Sequence, residues 1–157
     1  MTITRSFRHL FILAAVALPA GILSQPVEAR SVGAALGVVA PGDASCLSYF
    51  FATVTNTCAR TISIDWPLVV DTGGSKHVGI DALGPTSTQN VICRAEGLNE
   101  ETTLGFFSNG GAYAPLPGIG ASTNITMDGA SVPGGGQLLV NCQVQQGGRI
   151  QVANWNV

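Results

Sequence analysis

Apolar and polar residues alternate along several short stretches of the chain, which is the pattern of a β-strand that buries one face. In residues 61–66, the side chains of Ile62, Ile64 and Trp66 are predicted to share one side, opposite polar neighbours. The same alternation recurs in four further stretches, 77–82, 89–95, 122–127 and 137–145. Apolar residues do not recur at helical spacing beyond one turn, and residues 95–104 are the one candidate helix. The pattern therefore predicts an all-β protein.

Segments rich in glycine and proline separate these strands, with turn signals at 71–74, 109–111, 128–129 and 133–136. Gly147-Gly148 stands between two alternating runs and predicts a hairpin, because a primed turn needs positive φ. Residues 47–56, in contrast, contain no Gly, Pro or Asp and predict one continuous strand, buried on both sides at its start. About eight short strands in this arrangement are typical of an antiparallel two-sheet sandwich or a jelly roll.

The N-terminus has the three parts of an export signal in the required order. Two arginines precede an almost wholly apolar run at 10–23, and Val27-Glu28-Ala29 then matches the small-x-small cleavage pattern. The apolar run is shorter than the roughly 20 residues that a bilayer requires, so it is predicted to be cleaved and not to anchor the chain. Residues 1–29 are thus predicted to be a signal peptide. The mature protein is expected to start at Arg30 or Ser31 and to be secreted or periplasmic.

The mature part is predicted to be one domain, with a flexible lead at 30–44 and a β-sandwich at 45–157. It contains five basic and eight acidic residues, a net charge of −3. These are too few basic residues to build a positive face, so neither nucleic acid nor an anionic membrane surface is expected as a partner. After cleavage of the signal, no stable membrane insertion is expected. An exported domain with an uncharged polar surface could still bind a polysaccharide or a component of the cell surface, and these are the candidate partners.

Four cysteines, all in the mature part, predict two disulfides, because an even count in an exported chain is typical of a disulfide framework. They are Cys46, Cys58, Cys93 and Cys142. No Cys-x-x-C pair occurs, which disfavours a zinc ribbon or a thioredoxin-type redox site. No metal or cofactor is predicted.

The predicted strand at 47–56 bears on how the cysteines pair. A continuous strand rising about 3.3 Å per residue would hold Cys46 and Cys58 roughly 30 Å apart, whereas a disulfide needs Cα atoms about 5.5 Å apart. Cys46–Cys58 is therefore disfavoured, and Cys46–Cys142 with Cys58–Cys93 is the pairing expected. A bulge or turn near Ala52 or Thr53 would restore the local bridge.

Val69-Val70-Asp71-Thr72-Gly73 resembles the catalytic turn of aspartic proteases. Their chemistry needs two carboxylates that share one proton, and a chain of this length would have to supply the second from another copy. Gly74 follows where those enzymes have Ser or Ala, and no later apolar-apolar-Gly segment braces the loop. A small hydrolase acting through Asp71 is an alternative function, and no catalytic residue is assigned. The plainer interpretation is a hairpin turn with Asp71 exposed.

His77 is the one histidine of the mature part, with Ser75, Asp71 and Asp81 near it in sequence. No Gly-x-Ser-x-Gly elbow accompanies these residues, so a hydrolytic triad is not predicted. A metal site at His77 and Asp81 lacks a third ligand at a usual spacing. Calcium at Asp65, Asp71 or Asp128 has no loop motif to support it.

Tryptophan and tyrosine side chains could stack on sugar rings, and the chain has four of them: Trp66, Trp155, Tyr49 and Tyr113. Together with Asn and Gln at 141, 143, 145 and 151 they would form a sugar-binding face, which makes a carbohydrate-binding module a further alternative. Trp66 is in register with Ile62 and Ile64, however, and this pattern predicts a core residue.

Four short segments, in order, are similar to small exported proteins of environmental bacteria that have no assigned function. They are Cys46-Leu47, Trp66-Pro67-Leu68, 91–95 and Val140-Asn141-Cys142. Those proteins have Cys-Pro-Leu where this chain has Trp66-Pro67-Leu68, so one framework cysteine is displaced, to Cys58. The resemblance implies a β-sandwich and no activity. A non-catalytic exported binding or structural module is thus the main functional hypothesis.

Overall fold

The alternating stretches form strands in a computed structural model, which describes residues 29–86 and 91–156. Within these two ranges, three short 3₁₀ segments interrupt the strands: Ala34–Leu36, Pro41–Cys46 and Ser108–Gly111. The strands of the described residues are β1 (Ala29–Gly33), β2 (Val38–Val39), β3 (Leu47–Phe50), β4 (Thr53–Asn56), β5 (Ile62–Leu68), β6 (Gly74–Leu83), β7 (Val91–Leu98), β8 (Gly105–Phe107), β9 (Ala114–Pro115), β10 (Thr123–Val132), β11 (Gln137–Val144) and β12 (Arg149–Asn156).

These strands form two antiparallel sheets. The first sheet has the order β10-β6-β12-β4-β3, and β1 pairs with residues 152–156 of β12, beyond the part that pairs with β4. The second has the order β2-β5-β11-β7-β8, and β9 pairs with the other end of β7. The predicted all-β, two-sheet antiparallel sandwich is confirmed. The predicted signal peptide lies, apart from Ala29, outside the described residues and stays a prediction.

The core lies between the inner faces of the two sheets, where the period-2 pattern placed it. Ile62, Ile64 and Trp66 on β5 are each 1 % exposed, and Val78 and Ile80 on β6 are fully buried. The strand β10 is longer than the alternation of 122–127 predicted. The expected turn at 128–129 is instead a bulge within β10 that shifts its register against β6, as a glycine with positive φ permits.

Residues 30–44 are not the loose lead that composition predicted. Residues 29–33 form β1, which pairs antiparallel with β12, and β2 pairs with β5 in the opposite sheet. The Trp66 indole N–H donates to the carbonyl oxygen of Ala34 at 3.2 Å. Backbone pairing and this buried hydrogen bond attach the segment to both sheets. The described residues contain no helix with the length and apolar character needed to cross a membrane.

The predicted continuous strand at 47–56 is wrong, and so is the disulfide pairing built on it. β3 and β4 form a hairpin in which Phe50 pairs with Thr53. Phe51 adopts a left-handed φ of 52°, a conformation that non-glycine residues rarely take, so composition gave no turn signal. The hairpin brings the Cα atoms of Cys46 and Cys58 to 5.1 Å, and these cysteines are bonded. Cys93 and Cys142 form the other disulfide.

Two predicted hairpin turns are instead crossings between the sheets. Residues 69–73 lead from β5 in the second sheet to β6 in the first, and Gly147-Gly148 lies where the chain passes from β11 to β12. The candidate helix at 95–104 is also wrong, because β7 continues to Leu98 and pairs there with β8. Turn residues specify a local reversal of the chain and do not specify which sheet the next strand joins.

Candidate functional site

The outer face of the second sheet carries a row of polar side chains that crosses its three central strands. Asn141 on β11 lies directly opposite Asp65 on β5 and directly opposite Arg94 on β7. Residues opposed across antiparallel strands lie on the same face and within reach of one another. We call this surface the Asn141 face; it comprises Ser63, Asp65, Arg94, Tyr113, Asn141 and Gln143.

Asn141 is the centre of a hydrogen-bonded network on this face. Its side-chain amide donates to Asp65 Oδ1 and to Ser63 Oγ, both at 2.6 Å. Its oxygen accepts from the Tyr113 hydroxyl at 2.5 Å. Both amide hydrogens and the carbonyl oxygen are thus in use, which fixes the orientation of the amide group.

Arg94 lies between two aromatic rings. Its guanidinium carbon is 4.4 Å from the centroid of the Phe107 ring and 4.8 Å from that of Tyr113. Both distances are within the range of cation–π attraction. The Arg94 Nη1 also donates to the carbonyl oxygen of Gly111 at 3.5 Å, whereas its Nε is buried without a hydrogen-bond partner among the described residues. A polar donor and two aromatic rings are thus held together at one edge of the face.

A short arch of chain between β8 and β9 places these aromatic rings. On the edge of β7 that faces away from β11, β8 pairs with one end and β9 with the other, so Arg94 and Ala95 have no strand partner on that edge. The fully buried Ser108 fills this gap, because its Oγ accepts the backbone N–H of Ala95 at 3.0 Å. The arch then reverses through left-handed residues at 109–111, as the Asn-Gly-Gly turn signal predicted.

The Cys93–Cys142 disulfide lies beneath the Asn141 face and joins β7 to β11. These cysteines are directly opposed, and the adjacent pair in the same register is Arg94 with Asn141. A slip of one residue would turn every side chain to the other side of the sheet. The bond therefore fixes the register that places Arg94 beside Asn141.

Next to this row lies a small depression of about 70 Å³. Thr61, Ile92, Gln143 and Gln145 line it. Hydroxyl and amide groups around an apolar floor are suited to a small polar group of a ligand.

Two carbohydrate-binding modules of known structure are similar to this fold. One is the C-terminal CBM6 of LamC, a marine laminarinase from Zobellia galactanivorans, with a TM-score of 0.54 and 10 % identity over 83 % of this chain and 100 % of that chain. The other is the carbohydrate-binding module CBM6cm-2 of Cellvibrio mixtus lichenase 5A, determined with cellotriose, with a TM-score of 0.52 and 11 % identity over 82 % of this chain and 96 % of that chain. No protein-family model and no curated protein matches the sequence. At this identity the similarity establishes the sandwich fold alone.

The structure brings together only part of the predicted sugar-binding set. Tyr113, Asn141 and Gln143 share the Asn141 face, with Gln145 beside it. Trp66 is 1 % and Trp155 6 % exposed, so neither forms a platform, and the core prediction for Trp66 is confirmed. The two remaining members, Tyr49 and Gln151, lie on the first sheet.

Asp71 lies in the exposed segment that connects the two sheets. Its carboxylate pairs with the Arg30 guanidinium at 2.6 Å, and half of the Asp71 side chain is exposed. A protease dyad would instead place a second carboxylate beside it. The geometry within this chain therefore gives no support to the hydrolase alternative.

His77 pairs with Asp128 across β6 and β10, on the outer face of the first sheet. Ser75 is two positions earlier on β6, and Asp81 accepts a hydrogen bond from Asn124 at 2.7 Å. His77 and Asp81 belong to separate pairs, so these residues do not form a triad. Among residues 29–86 and 91–156, no group of three or more His, Cys, Asp or Glu side chains could hold a metal ion.

Sequence reasoning did not include Asp65, Arg94 or Phe107 in the sugar-binding set. The outward positions of Asp65 and Arg94 were implied by the alternation of their strands. Their neighbours were not, because register is a long-range property. Phe107 ends β8, and no local periodicity indicates that its ring reaches Arg94.

Proposed function

We propose that this chain is a non-catalytic carbohydrate-binding module that is exported and binds a polysaccharide on the Asn141 face. The observation that carries the proposal is the row of Asp65, Asn141 and Arg94 with the Tyr113 ring beside it. A sugar ring presents hydroxyl groups around its rim and C–H groups on its faces. Amides, carboxylates and a guanidinium recognise the hydroxyls, and an aromatic ring packs on the C–H groups.

The rigidity of the face supports this proposal. The polar groups project from three paired strands, and a disulfide joins two of those strands. Sites on strands hold their side chains more firmly than sites on loops, which reduces the entropy lost on binding. The likeness of the fold to two carbohydrate-binding modules, one of them determined with cellotriose, supports the same class of ligand.

The charge of the chain is consistent with a neutral glycan. The mature part has a net charge of −3, and the row pairs one cation with one carboxylate on either side of Asn141. A strongly charged ligand would need a face of one sign. Two disulfides also agree with the predicted export, since such bonds persist in oxidising compartments.

The decisive experiment compares two matched asparagines. Asn141 and Asn124 each lie in a strand on an outer face and each donate to a directly opposed aspartate, at 2.6 Å and 2.7 Å respectively. Isothermal titration with cellotriose, and affinity electrophoresis in soluble β-glucans and galactans, would measure binding by the mature chain. Asn141→Ala is expected to weaken binding by about tenfold or more, because it releases Asp65, Ser63 and the Tyr113 hydroxyl from the orientation that the Asn141 amide gives them. Asn124→Ala should leave affinity unchanged.

Two results would overturn the proposal. The first is that no glycan of the panel binds the wild-type chain. The second is that Asn124→Ala and Asn141→Ala weaken binding equally while both variants stay folded, because the Asn141 face would then have no special role.

A further inference from the structure

The hairpin of β3 and β4 exposes three consecutive aromatic side chains. Tyr49, Phe50 and Phe51 are 51 %, 72 % and 89 % exposed. The Phe50 and Phe51 rings meet edge to face, with centroids 4.7 Å apart. Isolated exposed apolar residues are ordinary on protein surfaces, whereas contiguous patches mark interaction sites. We call this element the aromatic hairpin.

The aromatic hairpin is held firmly in spite of its exposure. The Cys46–Cys58 disulfide closes its base. At its tip, the backbone N–H of Ala35 donates to the carbonyl oxygen of Ala52 at 3.2 Å. Phe51 adopts a φ of 52°, where glycine would be free of strain. A strained residue with a large exposed side chain indicates that the side chain itself is needed there.

An apolar groove of about 540 Å³ opens beside the aromatic hairpin, between β1 and the end of β5. Its exposed walls include Leu36 and Val69, and Trp66 and Trp155 also line it although each exposes little surface. Both indole N–H groups donate to backbone carbonyls of this chain. The Arg30–Asp71 ion pair at its edge is internally neutralised. We call this cavity the edge groove.

We propose that the edge groove binds the aromatic hairpin of a second copy of this chain, and that the contact is reciprocal. Leu36, 69 % exposed, lines the groove, and its neighbour Ala35 is bonded to the tip of the hairpin. The hairpin that would insert and the groove that would receive it therefore lie side by side on each copy. Such an arrangement allows the exchange to close on a two-fold axis and not to extend into a filament.

The area available is sufficient for a weak dimer. Each aromatic side chain buries about 150–250 Å² when it is covered. Two phenylalanines from each copy and the groove walls they cover would together bury roughly 1,200 Å², the lower end of the standard range for specific interfaces.

The chemistry of the hairpin favours this occupant over a membrane or a flat glycan surface. Residues 44–59 contain no charged side chain, so nothing on the hairpin attracts anionic lipid headgroups. The Phe50 and Phe51 rings are inclined at 76°, so both rings cannot lie flat on one sugar surface. A pair of inclined rings instead fills a groove with two walls.

Sedimentation velocity of the mature chain between about 1 and about 300 μM tests the proposal, because small interfaces dissociate in this range. The wild type should shift from monomer to dimer. Phe51→Gly removes the ring and suits the φ of 52°, so it should fold at least as well and weaken dimerisation by about tenfold or more. Val69→Glu, at a groove position that is 66 % exposed, should do the same. Ile119→Ser, at an exposed apolar residue outside both surfaces, should leave the dimer intact.

Several outcomes would contradict the proposal. A wild type that stays monomeric throughout the range excludes it, and so does a Val69→Glu variant that dimerises normally while Phe51→Gly does not. Co-sedimentation with phosphatidylcholine vesicles tests whether the hairpin binds lipid instead. Vesicle binding that Phe51→Gly abolishes, with no dimer in solution, would assign the hairpin to lipid.

Discussion

The outer faces of the two sheets both carry an asparagine hydrogen-bonded to a directly opposed aspartate, yet they differ in what surrounds this pair. On the first sheet, Asn124 lies on the edge strand β10, and its amide covers Gly79. On the second, Asn141 lies on a central strand with partners on both sides. Asn141 is the centre of a network because β5 on one side and the arch beyond β7 on the other both contribute side chains to it.

Aromatic side chains make the other difference between the two faces. The arch between β8 and β9 brings Phe107 and Tyr113 onto Arg94. Asn124, in contrast, has only Asp81 and Thr126 as side-chain partners among the described residues. The same amino-acid pair is therefore ordinary surface on one face and a candidate ligand site on the other. The disulfide, the arch and the central strand can each be tested separately.

Removal of the Cys93–Cys142 bond should have the largest effect. The bond closes a sequence separation of 49 residues, so replacement of both cysteines by alanine should lower the free energy of unfolding by about 4 kcal/mol on the loop-entropy model. Removal of Cys46–Cys58, at a separation of 12, should cost about 3 kcal/mol. Urea denaturation measures both.

Glycan binding provides the second measurement on these variants. If the Cys93–Cys142 bond fixes the register of the Asn141 face, its loss should weaken binding, whereas loss of Cys46–Cys58 should not. A Cys93→Ala, Cys142→Ala variant that folds and binds normally would show that strand pairing alone sets the register.

Ser108→Ala should have the next largest effect, because it leaves the N–H of Ala95 without its acceptor inside the protein. An unsatisfied buried backbone donor costs about 1–3 kcal/mol of folding free energy. The exposed Ser131 on β10 is the matched control, and its change to alanine should stay within about 0.5 kcal/mol. Equal, small effects from both substitutions would mean that water replaces the Ser108 hydroxyl and that the arch needs no such support.

The sequence predicted the strands and their buried faces better than their connections. Burial repeats every second residue, so Ile62, Ile64 and Trp66 could be assigned to the core without knowledge of their neighbours. The hairpin at Phe51 could not be foreseen, because its turn opposes the local preference of phenylalanine. The wrong disulfide pairing followed directly from that missing turn.

The candidate site was predictable to a similar extent. Alternation along β11 placed Asn141 and Gln143 on one face, and this part of the proposed sugar-binding set is present in the structure. The position of Arg94 opposite Asn141 depends on pairing between strands that are distant in sequence. Tyr113 reaches Asn141 from the arch, which the Ser108 hydrogen bond attaches to β7, and no local pattern encodes that contact.

Substitution of Asn141 or of Asn124 by leucine should reveal a smaller difference in folding stability between the two faces. Asn141→Leu removes three side-chain hydrogen bonds at a half-buried position and should lower the free energy of unfolding by about 1 kcal/mol, since water can reach part of the exposed partners. Asn124→Leu, on an exposed edge strand, should cost less than about 0.5 kcal/mol. Equal values in urea denaturation would show that the central network adds no stability.

The smallest effect should be the coupling between Tyr113 and Asn141. Tyr113→Phe keeps the ring on Arg94 and removes only the hydroxyl that donates to Asn141. A double-mutant cycle with Asn141→Ala should give a coupling energy of about 0.5–1 kcal/mol, as for residues that share one hydrogen bond. The matched cycle of Asp81→Ala with Asn124→Ala tests the other face, where solvent competes for a single exposed bond and the coupling should fall below about 0.5 kcal/mol. Equal coupling energies in the two cycles would mean that the hydrogen-bonded pairs are equivalent. The two faces would then differ only in the aromatic contacts to Arg94.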